Sequence, residues 1–543
     1  MRRALAHLLL AAGPALAQTA PADTTAPRPP AAWTRGATCY EVFVRSFQDS
    51  NGDGIGDLNG LTSRLDYIND GDSLVARDLG ARCIWLMPVA ESPSYHGYDA
   101  TNYYKVEPDY GTNDDFRRMV AEAHRRGIRV LVDMVLNHAS SDHPYFRAAL
   151  SDTASPYRSW FRFSPTKPDE KGPWGQEVWH KSPLRDEWYY GIFWSGMPDL
   201  NYETPAVREE ARKVARFWLD SMGVDGFRLD AVPYLVEEGT RLAGTPGTHE
   251  VLREYGQYVH SVRPDAFTVG EVWDSVGAML PYYPNELDSY FAFEVADRIV
   301  EAVRSGSARG LLAPTLRLQR EVPHQRWSPF VRNHDQTRTR TELGGDMRRA
   351  RLAAILLLTQ PGIPFVYYGE EIGMTGDKPD ERLRTPMQWG PDSLGGFTTG
   401  RAWEAAQPDS QSVTVWAQTR DGSSLLSLYQ QLIHLRAVYP ELGSGTLVPV
   451  AASEGAVAAY LRRSGDNAVL VVVNLGGEAL EGVSLAAPRG SLRPGNYGVG
   501  SLLGGPAGRP LRVAADGSVG GYIVLRALAP MEGYVFELVP AGR

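Results

Sequence analysis

Acidic and basic residues at the ends of short apolar segments have the types and spacing needed for acid–base chemistry. Arg228 and Asp230 stand two residues apart in Gly226-Phe-Arg-Leu-Asp-Ala-Val232, which follows an amphipathic run that ends at Gly223. A period of two places both side chains on the same face of a strand. Burying these charges costs free energy unless they meet each other or a ligand. The segment alone therefore predicts either a structural ion pair or part of a site.

Three other apolar segments end in residues of the same kind. Asp133-Met-Val-Leu-Asn-His138 ends one segment, Glu271 follows the next, and Asn333-His-Asp335 follows another. If these segments are parallel strands of one barrel, their carboxyl ends meet around a single mouth. Converging carboxylates can break a glycosidic bond, because one attacks the anomeric carbon while a protonated one supplies the leaving oxygen with a proton. Burial and neighbouring negative charge raise the pKa of the second carboxyl, as that role requires.

Short apolar segments alternate with helical patterns between Trp33 and Tyr439, and they predict the strands that position these residues. The candidate strands are residues 39–44, 82–87, 129–135, 226–229, 266–271, 289–293, 329–332 and 364–368. No dinucleotide-binding fingerprint follows the first of them. The alternation therefore predicts a closed (β/α)₈ TIM barrel rather than an open sheet.

Two regions depart from the barrel pattern. Residues 138–202 are irregular, Pro-rich and dense in Trp and Tyr, which predicts a subdomain inserted after the third strand as one wall of a cleft. From about Val448, short alternating segments separated by Gly, Pro and Asp predict a C-terminal antiparallel β-sandwich. The predicted boundaries are 33–137 and 203–445 for the barrel, 138–202 for the inserted domain and 446–543 for the sandwich.

The N-terminus has the pattern of a secretory signal peptide over residues 1–17. Two arginines precede an apolar run that is too short to span a membrane, and Ala15-Leu-Ala17 resembles a peptidase site. Residues 18–32 are rich in Ala, Pro and Thr, which predicts a disordered linker. We therefore expect a secreted or periplasmic protein whose mature form does not contact a membrane.

The composition narrows the choice of partner. The net charge of −9 is spread along the chain, which argues against nucleic acid or an anionic membrane. The 13 Trp and 26 Tyr suit flat neutral ligands such as sugar rings, although most aromatic residues fill cores. We expect a monomer. Cys39 and Cys83 lie in predicted strands, and we expect two buried free thiols, with a disulfide as the alternative.

The four motifs together resemble glycoside hydrolase family 13, the α-amylase family, and its intermediate oligo-1,6-glucosidase/neopullulanase-like group. Asp133–His138, Gly226–Asp230, Glu271–Trp273 and Asn333–Asp335 occur in the order of that family, and the resemblance spans the mature chain. It implies that Asp230 is the nucleophile, Glu271 the general acid/base and Asp335 the residue that holds sugar hydroxyls and distorts the ring. The products should retain the α configuration, with the two reacting carboxyl groups roughly 5–5.5 Å apart.

The same resemblance assigns residues that bind the sugar. His138 and His334 assist Asp335, and Arg228 orients the nucleophile. Tyr98, in His96-Gly-Tyr-Asp99, resembles the aromatic residue that stacks on the sugar at the cleavage point, and Asp99 supports it. The structural alternatives are an ordinary loop aromatic residue for Tyr98 and a helix-capping or core histidine for His138.

Asp49-Ser-Asn-Gly-Asp-Gly-Ile-Gly-Asp57 predicts a Ca²⁺ site. The expected oxygen ligands are the side chains of Asp49, Asn51, Asp53 and Asp57 and the carbonyl of Ile55. Gly60 stands where an EF-hand has its bidentate Glu, so the loop is not an EF-hand. It resembles the calcium loop of oligo-1,6-glucosidase-like relatives, and a hydrogen-bonded Asx turn is the alternative. A second calcium at Asn137 stays open.

The signals for substrate disagree. Ala231 resembles enzymes that prefer α-1,4 links, and Tyr95 replaces an acidic residue of exo-acting relatives, which predicts an open cleft. Met197-Pro-Asp-Leu-Asn201 is intermediate between the signature of oligo-1,6-glucosidases and that of neopullulanases. Arg384-Thr-Pro-Met-Gln-Trp389, in contrast, resembles α-glucosidases and trehalose synthases.

We therefore predict an α-amylase that hydrolyses internal α-1,4 bonds of starch and maltooligosaccharides. An exo-acting α-glucosidase or a trehalose synthase-like transglycosylase is the alternative. A catalytically inactive carbohydrate-binding relative is a third hypothesis, and the presence of Asp230, Glu271 and Asp335 argues against it.

Overall fold

The computed structural model describes residues 27–72 and 77–541. The predicted signal peptide and residues 18–26 of the predicted linker lie outside the described residues. Arg28 contacts the barrel, since its Nη1 is 3.5 Å from Asp288 Oδ1 and its carbonyl accepts a hydrogen bond from Arg326. No helix among the described residues is long and apolar enough to cross a membrane.

Parallel strands form the central sheet, in agreement with the predicted barrel. They are β1 (Cys39–Val42), β2 (Cys83–Leu86), β3 (Arg129–Met134), β4 (Gly226–Leu229), β5 (Phe267–Gly270), β6 (Ser289–Tyr290) and β7 (Phe365–Tyr367). Their order is β6-β5-β4-β3-β2-β1-β7, so the first and last strands of this sheet along the chain pair and the sheet curls on itself. The strands are almost wholly buried, which is typical of a parallel sheet covered on both faces.

The strand predicted at 329–332 is not present as a strand. Residues 327–330 nevertheless occupy its position between β6 and β7. Ser328 donates its backbone N–H to the Tyr290 carbonyl at 2.9 Å, and Phe365 donates to the Pro329 carbonyl at 2.9 Å. Because Pro329 has no N–H, it cannot continue a regular ladder, and the eighth position is held by isolated bonds.

The helices surround this sheet. Those of eight or more residues are Asn113–Arg125, Pro144–Ser151, Pro205–Arg216, Pro246–Val262, Phe293–Ser305, Ala313–Glu321, Met347–Thr359 and Leu425–Val438. The shorter α-helices are Val44–Phe47, Leu58–Ser63, Leu65–Ile68, Val276–Met279, Thr339–Glu342, Asp380–Leu383, Val415–Gln418 and Pro440–Gly443. Asn113–Arg125 shows why they form. Thr112 and Asp115 make a capping box at its start, and its buried residues are spaced three or four apart.

The chain between β3 and β4 forms the inserted region. Its strands Phe163–Ser164, Trp188–Tyr190 and Trp179–Lys181 make a small antiparallel sheet, with the second in the middle. Its own apolar cluster consists of Phe146, Ala149, Leu150, Phe161 and Tyr189. A hairpin of Ala90–Glu91 and Asn102–Val106 precedes this region and holds the loop after β2.

The C-terminal part is an antiparallel sheet domain, as predicted. Its larger sheet contains, in order, Thr446–Pro449, Val457–Ser464, Asn467–Asn474, Glu532–Pro540, Gly495–Ser501 and Leu511–Val513. Smaller sheets consist of Ala451–Ala452, Leu485–Ala487 and Val519–Tyr522, and of Leu480–Glu481 with Ala527–Leu528. Apolar residues on one side of the larger sheet form a core with the smaller sheets, and those on its other side, such as Tyr460 and Val471, pack into the core of the barrel.

The prediction of two free thiols is wrong, because Cys39 and Cys83 form a disulfide. The residues are direct partners in the register of β1 and β2, and their Cα atoms are 4.3 Å apart. The strand pairing brings the thiols together, and sequence alone does not contain that register.

The disulfide should stabilise the fold measurably. Replacing both cysteines by alanine should lower the free energy of unfolding by up to about 4 kcal/mol, because the bond closes a loop of 44 residues in the unfolded chain. Urea unfolding of the wild-type protein and the double variant measures this. Two thiols that react with an alkylating reagent in the denatured, unreduced wild-type protein would contradict the bond.

Candidate active site

Arg228 lies at the centre of the site, where the carboxyl ends of β3, β4 and β5 meet. Its Nη1 atom is 2.7 Å from Asp230 Oδ1 and 2.9 Å from Asp133 Oδ1, and its Nη2 atom is 2.7 Å from Glu271 Oε2. The guanidinium is 1% exposed. One positive charge therefore faces three carboxyl groups, which a simple structural ion pair does not explain.

The strand register produces this meeting. Arg228 on β4 is the direct partner of Asp133 on β3, and the period of two puts Asp230 on the same face. Gly226 begins β4 with φ +154°, and a Cβ there would lie 1.9 Å from the Phe267 carbonyl oxygen. Only glycine permits β4 and β5 to approach this closely, so Gly226 places Arg228 beside Glu271.

A tight turn follows Asp230. Ala231 has φ +45° and ψ +38°, the left-handed region that residues with a Cβ rarely adopt. This conformation aims the Ala231 N–H at Glu271 Oε2, 3.2 Å away. Backbone strain is thus present between the predicted nucleophile and the predicted acid, as is common at functional sites.

Glu271 is the carboxyl group most suited to carry a proton. Burial and the neighbouring charges of Asp230 and Asp335 raise its pKa to about 7, against the opposing effect of Arg228. Burial likewise raises the pKa of Asp133 to about 6. A carboxyl that is protonated near neutral pH can act as a general acid.

Asp335 lies in the opposite electrostatic environment. His334 Nε2 is 3.1 Å from its Oδ2, and Arg384 Nη2 is 2.8 Å from its Oδ1. Burial alone would raise the pKa of Asp335, but these two cations hold it well below its usual range. Asp335 therefore keeps its negative charge.

Sequence reasoning gave Arg384 no role in the site, and Arg384 belongs to it. It is 3% exposed, lines the cavity and also donates from Nε to the His334 carbonyl at 3.1 Å. It lies in the segment that resembles α-glucosidases and trehalose synthases, which was the available signal.

Tyr98, His138 and His334 meet as predicted. The Tyr98 ring stacks on His334 with centroids 5.6 Å apart and planes inclined by 15°, and its hydroxyl donates to Asp133 Oδ2 at 3.1 Å. His138 Nε2 is 3.0 Å from the Tyr98 carbonyl oxygen. Tyr98 and His138 line the cavity. Asp99 does not. It accepts a hydrogen bond from Ser92 Oγ at 2.7 Å and another from a neighbouring serine, and so holds the loop of Tyr98.

The cavity over these residues has a volume of about 900 Å³, enough for a short oligosaccharide. Beyond Glu271 its wall is aromatic, with Trp174 62% exposed and Trp273 54% exposed. The opposite end is charged and contains Asp380 and Arg384. The inserted region therefore supplies one wall, since Trp174 comes from it.

Tyr95 does not open the cavity by itself. Its hydroxyl is 3.4 Å from Arg384 Nη1, its ring stacks on Trp403 with centroids 5.4 Å apart, and it is not among the lining residues. Arg384, which lines the cavity, lies between Tyr95 and the cavity.

The predicted calcium loop carries the expected oxygen atoms, and two of its carboxylates accept backbone N–H groups of the loop itself. Asp49 accepts the N–H groups of Asn51, Gly52 and Gly54 at 2.7–2.9 Å, and Asp57 accepts those of Ser50 and Gly60 at 2.8 Å. Within residues 27–72 and 77–541, no group of three or more His, Cys, Asp or Glu side chains could hold a metal ion, and the predicted site also counts the oxygens of Asn51 and Ile55. Calcium stays a prediction, and no catalytic step below depends on it.

Comparison with known proteins identifies the family. Residues 41–445 match the family described as Alpha amylase, catalytic domain. Alpha-amylase 3 of Dictyoglomus thermophilum is 38% identical over 448 residues, which cover 82% of this chain and 85% of that protein. The trehalose synthase/amylase of Mycolicibacterium smegmatis is 36% identical over 526 residues, which cover 84% of this chain and 86% of that protein.

A solved structure agrees with this. The crystal structure of an α-amylase from H. orenii matches with a TM-score of 0.80 and 38% identity over 92% of this chain and 99% of that chain. A curled parallel barrel with this arrangement of carboxyl groups is the fold and site of a glycoside hydrolase. The chain belongs to the α-amylase family, glycoside hydrolase family 13.

Chelation tests the predicted calcium loop. If calcium binds Asp49–Asp57, a chelator should lower the melting temperature, since a ligand at 100 times its Kd stabilises by about 2.7 kcal/mol. Added Ca²⁺ should restore the melting temperature. Mg²⁺ at the same concentration should not, because the smaller ion demands stricter geometry. The Asp53→Ala variant serves as the control and should show no response. An unchanged melting temperature in the wild-type protein would refute the site.

Proposed function

We propose that the protein is an α-amylase that hydrolyses α-1,4-glucosidic bonds of glucans and maltooligosaccharides with retention of configuration. The observation that carries this proposal is the pairing of Asp230 and Glu271 on one guanidinium, where Glu271 has a pKa of about 7. A carboxylate and a protonated carboxyl on the same arginine are the two groups of a retaining glycosidase.

The first step joins the sugar to the enzyme. The carboxylate of Asp230 attacks the anomeric carbon, and the bond to the glycosidic oxygen breaks as Glu271 gives that oxygen its proton. The Arg228 guanidinium, 2.7 Å from Asp230, aims the attacking oxygen. A glycosyl ester on Asp230 and a free sugar hydroxyl result.

The second step releases the sugar. Glu271, now ionised, removes a proton from water, whose oxygen attacks the anomeric carbon and displaces Asp230. The same residue is acid and then base. The Ala231 N–H, 3.2 Å from Glu271 Oε2, faces the carboxylate formed between the steps.

The remaining residues hold the sugar on either side of the reacting bond. Tyr98 offers a ring face at the glycosyl unit, and Asp335 offers carboxylate oxygens for its hydroxyl groups. Trp174 and Trp273 offer exposed ring faces for the units beyond Glu271. This aromatic wall supports a neutral oligosaccharide as the substrate.

A second candidate is an exo-acting or maltose-isomerising enzyme. The charged end of the cavity favours it, because Arg384 pairs with Asp335 at 2.8 Å and lies 3.4 Å from Asp380, leaving little room beyond one sugar. The similarity to trehalose synthases points the same way.

We further propose that the protein acts outside the cytoplasm. The pattern of residues 1–17 is that of a secretory signal. The disulfide between Cys39 and Cys83 supports this, since such bonds persist in oxidising compartments.

Leaving-group dependence tests the two catalytic roles. Glu271→Gln should slow hydrolysis of maltooligosaccharides by roughly 10²–10⁴-fold, yet act almost normally on α-glucosyl fluoride in the first step, because fluoride leaves without a proton. Asp230→Asn should fall below roughly 1% of wild-type rate on both substrates, since no ester can form. Equal losses for Glu271→Gln on the two substrates would contradict the acid role.

The pH profile follows from Glu271. The protonated form is the active acid, so the rate on maltooligosaccharides should fall as pH rises above about 7, the pKa of this group. Stopped assays across pH 5–9 measure it. A rate that still rises above pH 8 would assign the proton to another group.

The early products separate the two candidate functions. A time course with maltoheptaose should give maltose, maltotriose and longer fragments from the start if internal bonds are cut. Glucose alone, or trehalose formed from maltose, would favour the second candidate and show that the Arg384 end is closed. Optical rotation of the fresh products checks retention.

A further inference from the structure

Glu41, a buried carboxylate on β1, has no role in the steps above. It is 2% exposed, and its Oε1 atom is 2.5 Å from Nδ1 of His334, whose side chain is fully buried. Glu41 does not line the cavity. It can reach the reaction only through His334.

The other nitrogen of His334 also faces acceptors. Nε2 is 2.7 Å from Tyr98 Oη and 3.1 Å from Asp335 Oδ2. Asp335 also pairs with Arg384 and is an ionised carboxylate, so its Oδ2 accepts from His334. A neutral imidazole carries hydrogen on one nitrogen only, and the other would then meet an acceptor with no hydrogen between them. Both nitrogens carry hydrogen only in the imidazolium.

We propose that Glu41 is a positioning residue that holds His334 as an imidazolium, with its Nε2–H directed at Asp335. This rests on the proposed glycosidase function of the site. Glu41 touches neither substrate nor the reacting atoms. It fixes the charge and orientation of His334, which contacts Asp335, and Asp335 lines the cavity.

The charged and titratable groups packed around His334 come from several elements. Negative or acidic groups are Glu41, Asp133, Asp335, Tyr98 and Tyr367, and the cations are Arg228 and Arg384. Burial would lower the pKa of His334, but Asp335 and Glu41 raise it to about 9. The imidazolium is therefore present below about pH 9 and lost above it. Removing one of the two carboxylates moves that loss to lower pH.

The decisive variant is Glu41→Gln, which keeps the shape and loses the charge. The substrate is α-glucosyl fluoride, because fluoride leaves without the Glu271 proton. The alkaline limb of the pH profile of kcat/KM then reports the protonation of His334. The limb of the wild-type enzyme should lie near pH 9. In Glu41→Gln it should move down by at least one pH unit, with a loss of about three-fold or more at pH 8.5 and little change at pH 6.5.

Two controls separate this role from a general structural one. Glu371→Gln also removes a fully buried barrel carboxylate, one bonded to Tyr40 and Tyr67, and should leave the limb unchanged even if it lowers the melting temperature. Glu41→Asp restores the charge and should return the limb toward the wild-type position. An unmoved limb in Glu41→Gln, or an equal shift in Glu371→Gln, would overturn the proposal.

A readout without substrate keeps this inference distinct from the proposed function. In ¹H–¹⁵N spectra of ¹⁵N-histidine protein, the His334 signal, identified by its loss in His334→Asn, should stay doubly protonated to about pH 9. Glu41→Gln should lose that state at lower pH. If Glu41→Gln shows the shifted titration but the wild-type enzyme cleaves no α-glucoside, the proposed function is wrong and the Glu41–His334 pairing is confirmed. If the titration is the same in both proteins, the pairing fails whatever the activity.

Discussion

The buried guanidinium of Arg228 is the constraint on which the site depends. A charge at 1% exposure is expensive unless it is paired, and Arg228 is paired with three carboxyl groups from three strands. One cation cannot neutralise three anions. Burial raises the pKa of Glu271 most, and the neighbouring charges of Asp230 and Asp335 raise it further against the effect of Arg228. The general acid thus results from burial together with a shortage of positive charge.

The other half of the site has a surplus of positive charge. Asp335 faces His334 and Arg384, two cations for one carboxylate, and its pKa is lowered where that of Glu271 is raised. The two acids lie in one cavity, and at neutral pH Asp335 is ionised while Glu271 is about half protonated. Their difference comes from how many cations each one shares. Glu41 fits this account, because it adds the negative charge that keeps His334 a cation.

Much of this arrangement follows from the sequence. The period of two at Arg228 and Asp230, and the polar ends of the segments at Glu271 and Asp335, predict the barrel and the convergence of the carboxyl groups. Each of these features lies within one strand or at its end. Their order along the chain is then enough to place them around one mouth of a barrel.

The residues that sequence reasoning missed depend on register or on distant loops. Cys39 and Cys83 bond because β1 and β2 pair at that position, and a one-residue slip would separate them. Arg384 reaches Asp335 from a loop after β7, with no periodic pattern to mark it. In the sequence, Glu41 is one polar residue in an apolar strand, and only the structure shows its contact with His334.

The interior of the barrel connects the strand-end residues that the sequence predicts with the residues that depend on register or on distant loops. Below the carboxyl ends, an apolar layer fills the barrel and includes Phe267, Phe291, Phe330, Phe365 and Trp85, together with the disulfide. Such a layer excludes water, so each charge above it acts in a medium of low polarity and shifts the pKa of its neighbours strongly. Trp85 joins the two halves of the site directly. Its Nε1 is 3.3 Å from Asp133 Oδ2, and its ring lies edge-on to His334 with centroids 5.6 Å apart. Because Trp85 is the register partner of Glu41, the pairing of β1 with β2 sets the geometry of both charge clusters at once.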